Sequence, residues 1–176
     1  MQRVALTVMV LTVISKALGF AREMVLSYVY GASSITDAYL ISQTVPAFVF
    51  SFISVGIATG FVPIYSRIVN ERGKLEADKF TSNLSNTLVL VAAILVVMVL
   101  IFTRPIVKFF ASGFTGETLV LAMKLTKISV FGVCFTNLVN IFSAYLRLHG
   151  NFSVPALVSF PMNLVIILSV FISANY

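Results

Sequence analysis

The 176-residue chain is 59% hydrophobic and only 10% charged, with a mean hydropathy of +1.04. Soluble domains carry roughly 25% charged residues, so this is the composition of an integral membrane protein, and its net charge of +6 reflects loops and anionic headgroups rather than nucleic acid. One cysteine, one histidine and six acids exclude a disulfide framework and leave little material for metal or hydrolytic chemistry, so no cofactor or metal is expected.

Hydropathy and turn punctuation predict five transmembrane helices. The first covers residues 4–30. It is apolar from Val4 to Ile14 except for Thr7 and Thr12, then carries Lys16, Gly19, Arg22 and Glu23 before turning apolar again. Ionisable groups at membrane depth cost a few kcal/mol each unless they face a protein interior or a wet cavity. Met1-Gln2-Arg3 and Ser15-x-Ala17 resemble a leader and its cleavage site, but the charges and spans beyond favour a retained helix. The second span covers 35–68 and opens with Asp37. At 1.5 Å per residue it would reach roughly 50 Å, so it must tilt, kink or project into water. Pro46 is the expected kink, near the midplane and at about the depth of Lys16. The mixed-sign stretch from Asn70 to Lys79 reads as a solvated connector and helix start. The third span covers 82–102, the fourth 119–148 and the fifth 154–173.

With the amino terminus inside, the cytoplasmic side receives Arg3, Arg67, Arg72, Lys74, Lys79 and Arg147, and the outer side Arg104, Lys108, Lys124 and Lys127. That balance favours a cytoplasmic amino terminus. Five spans then leave Tyr176 outside. The sequence stops at a membrane edge, as a truncated chain would.

Two cations beside one acid leave surplus positive charge in the first span. As an anion site, Arg22 and Lys16 would hold phosphate oxygens while Glu23 orients the arginine; the alternative is a structural ion pair. Lys16 and Glu23 lie seven apart and nearly in line on a straight helix, Arg22 about 100° from Glu23, and a bend at Gly19 would gather all three. Asp37 serves either as an N-cap or first-turn acid or as a gating acid. Gly56 and Gly60 form a small-xxx-small packing element, with Ser51, Ser54 and Thr59 nearby. In the fourth span Asn137, Asn140 and Arg147 recur at helical steps. They and Asn163 in the fifth either bond between helices or line a cavity.

The order and spacing of Ser15 to Glu23, Tyr30-Gly31-Ala32-Ser33, Thr36-Asp37-Ala38-Tyr39, Val45-Pro46, Phe61-Val62-Pro63, Ala111-Ser112-Gly113-Phe114 and Asn151 to Ala156 resemble the amino-terminal part of the MurJ/MviN family. These are the lipid II flippases of the multidrug/oligosaccharidyl-lipid/polysaccharide exporter superfamily. Members are about three times longer and have two six-helix lobes, so the resemblance implies a chain comprising five of the six helices of the first lobe. It further implies export of the undecaprenyl-diphosphate-linked peptidoglycan precursor across the bacterial plasma membrane. Alternating access around a basic cavity would move it, with no bond made or broken. Arg22 matches the family's diphosphate-contacting arginine, Glu23 its acidic neighbour and Asp37 the acid near the outer gate. Partners implied are the lipid-linked diphosphate, surrounding membrane lipids and the missing carboxyl-terminal lobe. The sequence departs from the family at Lys16, where many members carry arginine, and at Phe50, Ser51 and Val55, where charged residues are common. Export of another lipid-linked oligosaccharide, drug export and a non-transporting scaffold for cell-wall enzymes are the alternatives.

Overall fold

A computed structural model describes residues 2–174, with side chains from 6 to 173; Arg3 and Tyr176, invoked for orientation, lie outside the residues whose side chains are described. The described residues form seven helices: α1 (Gln2–Tyr30), α2 (Ser34–Arg72), α3 (Lys74–Ile101), α4 (Thr103–Phe110), α5 (Gly116–Leu148), α6 (Ser153–Leu157) and α7 (Ser159–Ala174). The fold is all-α. Among the described residues, four segments are long and apolar enough to cross a membrane: α2, α3, α5 and Ser153–Ser173. The expected first span is formed as α1, whose described side chains, from Leu6 on, include Lys16, Arg22 and Glu23.

Prolines explain where helices stop. A proline lacks the N–H that would bond to the carbonyl four residues earlier, and its ring crowds that carbonyl. Helix α3 ends at Ile101, four before Pro105, and α6 ends at Leu157, four before Pro161. Both prolines then sit in the first turn of the next helix, where no donor is needed. The fifth expected span is therefore two helices. Pro46 behaves differently: α2 runs unbroken through it and through Pro63. Pro46 and the neighbouring Val45 and Phe50 are fully buried, and packing on all sides holds the helix together where one hydrogen bond is lost.

The connector expected between the second and third spans shrinks to Gly73, whose φ of 86° lies in the left-handed region that glycine enters without strain. Helix α3 begins at Lys74 rather than near residue 82, because Lys74 to Lys79 are good helix formers that a hydropathy window ignores.

The chain divides into two compact units, residues 1–36 with 146–176 and residues 37–145. In the first, α1 packs along α6 and α7. Ser15 donates to the Ala156 carbonyl at 3.2 Å, Gly19 lies against Asn163, and the Tyr30 and Ser173 hydroxyls bond at 2.6 Å. Increasing numbers meet increasing numbers, so α1 runs parallel to α6–α7. In the second unit, Phe50 of α2, Ala92, Val96 and Val99 of α3 and Val130 of α5 make the main core, with Cys134 packed against it. Ala38, Val107, Leu119 and Ala122 form a second cluster.

Candidate functional site

Helix α1 presents two faces. Leu11, Ser15, Leu18, Gly19, Arg22, Val25 and Leu26 are partly or fully buried, whereas Lys16, Phe20, Glu23 and Met24 are exposed. The buried positions recur at three- and four-residue steps, the signature of one packed helical face. Arg22 thus lies on the face that packs and Lys16 on the open one.

The Arg22 guanidinium is paired with Glu23. Both Nε (3.2 Å) and Nη2 (2.5 Å) donate to the same oxygen, Oε1. The side chains are 28% and 49% exposed, so the pair is neither sealed nor fully solvated. A guanidinium has five N–H donors; two meet Glu23, leaving the Nη1 pair and one Nη2 hydrogen for an incoming anion. An arginine fork with free donors in a partly dehydrated setting suits bidentate recognition of phosphate or carboxylate oxygens.

Lys16 has no ion-pair partner among the described residues. Seven residues of helix put it about 10 Å along the axis from Glu23. Helix α1 is continuous across Gly19, and Lys16 makes no ion pair with Glu23. Gly19 instead admits a neighbour. A methyl group placed there would sit 3.9 Å from Nδ2 of Asn163, which is buried at 6% exposure. Arg22 and Glu23 follow about one turn further along α1, on either side of the line through Gly19.

The remaining candidates belong to the second unit. Asp37 is exposed in the first turn of α2. It does not cap the helix: Ser33 does, its Oγ accepting the Thr36 N–H at 3.4 Å. Asn137 is buried, donates from Nδ2 to the Val133 carbonyl (3.0 Å) and accepts from Ser54 Oγ (2.8 Å), joining α5 to α2. Asn140 is exposed. The polar stripe of α5 is therefore two stripes. Thr126 and Asn137 pack inward with Val130 and Ile141, while Thr136, Asn140 and Arg147 line an open face.

One cluster has no counterpart in the sequence reading. Oδ1 of Asp78, in α3, accepts from Tyr65 of α2 (2.9 Å) and from Tyr145 of α5 (3.0 Å), and the two rings meet edge-on at 5.8 Å. A single carboxylate oxygen ties three helices. Nothing in the spacing of an acid and two distant tyrosines announces it.

These helices leave long apolar faces uncovered, including Met9, Val13, Phe52, Val55, Leu90, Val97, Val165 and Leu168, far more than a soluble monomer exposes. Fold and composition together define a polytopic helical membrane protein whose first helix carries a half-buried arginine paired with a glutamate. Comparison with known proteins narrows this class. A family model described as lipid II flippase MurJ matches residues 26–176. Among curated relatives, the probable lipid II flippase MurJ of Buchnera aphidicola subsp. Baizongia pistaciae is 32% identical over 170 residues, covering 94% of this chain and 33% of that protein. The lipid II flippase MurJ of Thermosipho africanus is 32% identical over 166 residues, with 94% and 34% covered, and that of Burkholderia cenocepacia is 29% identical over 168 residues, with 94% and 33% covered. No solved structure matches. The chain belongs to the MurJ lipid II flippase family, a family of membrane transporters, and spans about a third of the length of the curated relatives it matches. The resemblance carried by its motifs is thereby confirmed.

Proposed function

We propose that this chain is the amino-terminal lobe of a lipid II flippase and that Arg22 receives the diphosphate of the lipid-linked precursor, with Glu23 as its orienting neighbour. The observation that carries this reading is the half-buried guanidinium engaged by only one carboxylate oxygen. Glu23 occupies two donors and leaves three, so it steers the fork without saturating it. Lys16, on the open face about two turns away, adds field rather than a second fork. Asp37, exposed and without an ion-pair partner among the described residues, is the gating acid of this scheme. The polyprenyl tail stays in lipid, the second lobe supplies the opposite wall of the cavity, and no covalent step occurs.

The parallel course of α1 and α6–α7 supports a membrane-spanning α1. Two parallel neighbours require an odd number of crossings between them, and α2, α3 and α5 provide three. Loop cations favour a cytoplasmic amino terminus, in keeping with a flippase of the bacterial plasma membrane.

The test is complementation of a flippase-depleted strain by the two-lobed protein. Arg22→Ala abolishes growth; Lys16→Ala weakens it and Lys16→Arg does not. Normal growth with correctly inserted Arg22→Ala protein rejects the assignment.

A further inference from the structure

The connection between α3 and α5 carries a feature that substrate export leaves unused. Helix α4 is strongly two-faced. Arg104 and Lys108 lie four apart and thus on one side, while Pro105, Ile106, Phe109 and Phe110 occupy the opposite arc and Thr103 and Val107 are buried against the bundle. A short helix of this pattern, directly following a membrane span, lies in the interface with its cations at headgroup level.

Beneath α4 runs an open groove of about 500 Å³ lined by Phe48 and Val49 of α2, Met98 of α3, Phe102 in the bend, and Pro105, Ile106, Phe109 and Phe110 of α4. Its wall is an aromatic ladder. Phe48 meets Phe52 edge-on at 6.2 Å and Phe110 at 5.3 Å, and Phe110 meets Phe109 at 5.5 Å. Interlocked rings have few rotamers to lose, so a chain laid along them binds at low ordering cost. Arg104 and Lys108, next in the chain to Pro105 and Phe109 of the lining, have no carboxylate within ion-pair distance among the described residues. Two such cations on the helix that walls an apolar slot match a molecule with an anionic head and a hydrocarbon tail.

We propose that α4 and this groove bind one anionic phospholipid, its phosphate on Arg104 and Lys108 and one acyl chain along Phe48, Phe109 and Phe110. The whole site lies within the unit formed by residues 37–145, so it does not depend on the position of α1 or on the proposed transport activity. The groove on the same unit lined by Asn86, Val89, Leu90, Ala93, Ile94 and Val97 has no lysine or arginine next to its lining residues in the chain and serves as an internal control.

The chain contains no tryptophan, so Phe109→Trp supplies a single fluorescent reporter. Its quenching is measured in vesicles doped with brominated phosphatidylglycerol or brominated phosphatidylcholine, with Ile94→Trp as the control reporter. The indole at position 109 is expected to be quenched at a lower mole fraction of the anionic lipid, and the preference to fall about fivefold for each of Arg104→Gln and Lys108→Gln. The indole at position 94 is expected to respond equally to both lipids. Equal quenching of the Phe109→Trp reporter by both lipids overturns the proposal, as does a preference that survives the double substitution. Selective relief of quenching by a polyprenyl monophosphate, but not by unlabelled phosphatidylglycerol, also overturns it by assigning the groove to an isoprenoid.

Discussion

Replacing Asp78 with alanine removes the acceptor that links Tyr65, Tyr145 and α3. A hydrogen bond to a charged group contributes about 1.5–3 kcal/mol, and leaving a buried hydroxyl without a partner costs on the order of 1–3 kcal/mol. Tyr65 is 4% exposed, so its hydroxyl cannot turn to solvent. Tyr145 and Asp78 are only half-buried, and water recovers part of what they lose. Taking the Tyr65 bond near the top of the range and the Tyr145 bond near the bottom, then discounting for relaxation, gives a loss of about 2–4 kcal/mol for Asp78→Ala. Asp78→Asn keeps Oδ1 as an acceptor and gives up only the charge, for about half that loss. Because both tyrosines use one oxygen, Tyr65→Phe and Tyr145→Phe should each be less costly once Asp78 is already alanine. The assay is reversible unfolding of the chain in mixed micelles, run as a double-mutant cycle. A loss below about 0.5 kcal/mol for Asp78→Ala, or strictly additive effects with Tyr65→Phe, would refute the three-helix tie.

Further outcomes follow from the same packing. Breaking the Ser54–Asn137 bond should give a coupling energy of about 0.6–1.7 kcal/mol in the Ser54→Ala, Asn137→Ala cycle, the range of interhelical hydrogen bonds within membranes; zero coupling would mean that Asn137 faces water. Gly19→Ala should be tolerated and stabilise α1 by up to about 1 kcal/mol, because the added methyl meets Asn163 at ordinary contact distance; a marked fall in melting temperature would show that α1 and α7 approach too closely at Gly19 to admit a methyl group. For orientation, with Cys134 changed to serine, a cysteine at Thr115 should react with an impermeant maleimide added to spheroplasts and one at Arg72 should not; the reverse pattern would invert the topology.

Part of this was legible in the sequence, and the reasons for the remainder are physical. Helices α1, α2 and α5 emerge from hydropathy because long apolar stretches have few other ways to satisfy their backbone in lipid. The start of α3 did not, since Lys74 to Lys79 are helical by propensity and polar by composition. Proline is ambiguous by nature: Pro161 splits the fifth span, while α2 runs unbroken through buried Pro46 and exposed Pro63, and the local sequence does not separate these outcomes. The polar stripe of α5 read as one face because residues 137 and 140 are only about 60° apart; neighbouring helices cover one side of that narrow arc and not the other. In the candidate site, the adjacency of Arg22 and Glu23 is visible from sequence. The placement of Lys16 on the open face depends on which side of α1 packs against α6 and α7, which its residues alone leave undecided. Asp78 was invisible because its partners come from α2 and α5.

The central claim is that the half-occupied guanidinium of Arg22 receives a diphosphate. The most direct measurement is the affinity of the two-lobed protein for a short-chain lipid II analogue, compared among wild type, Arg22→Lys and Arg22→Ala. Loss of one charge-assisted contact predicts a fall of about tenfold or more for Arg22→Ala, with Arg22→Lys in between. Affinity unchanged within about twofold for Arg22→Ala would contradict the account.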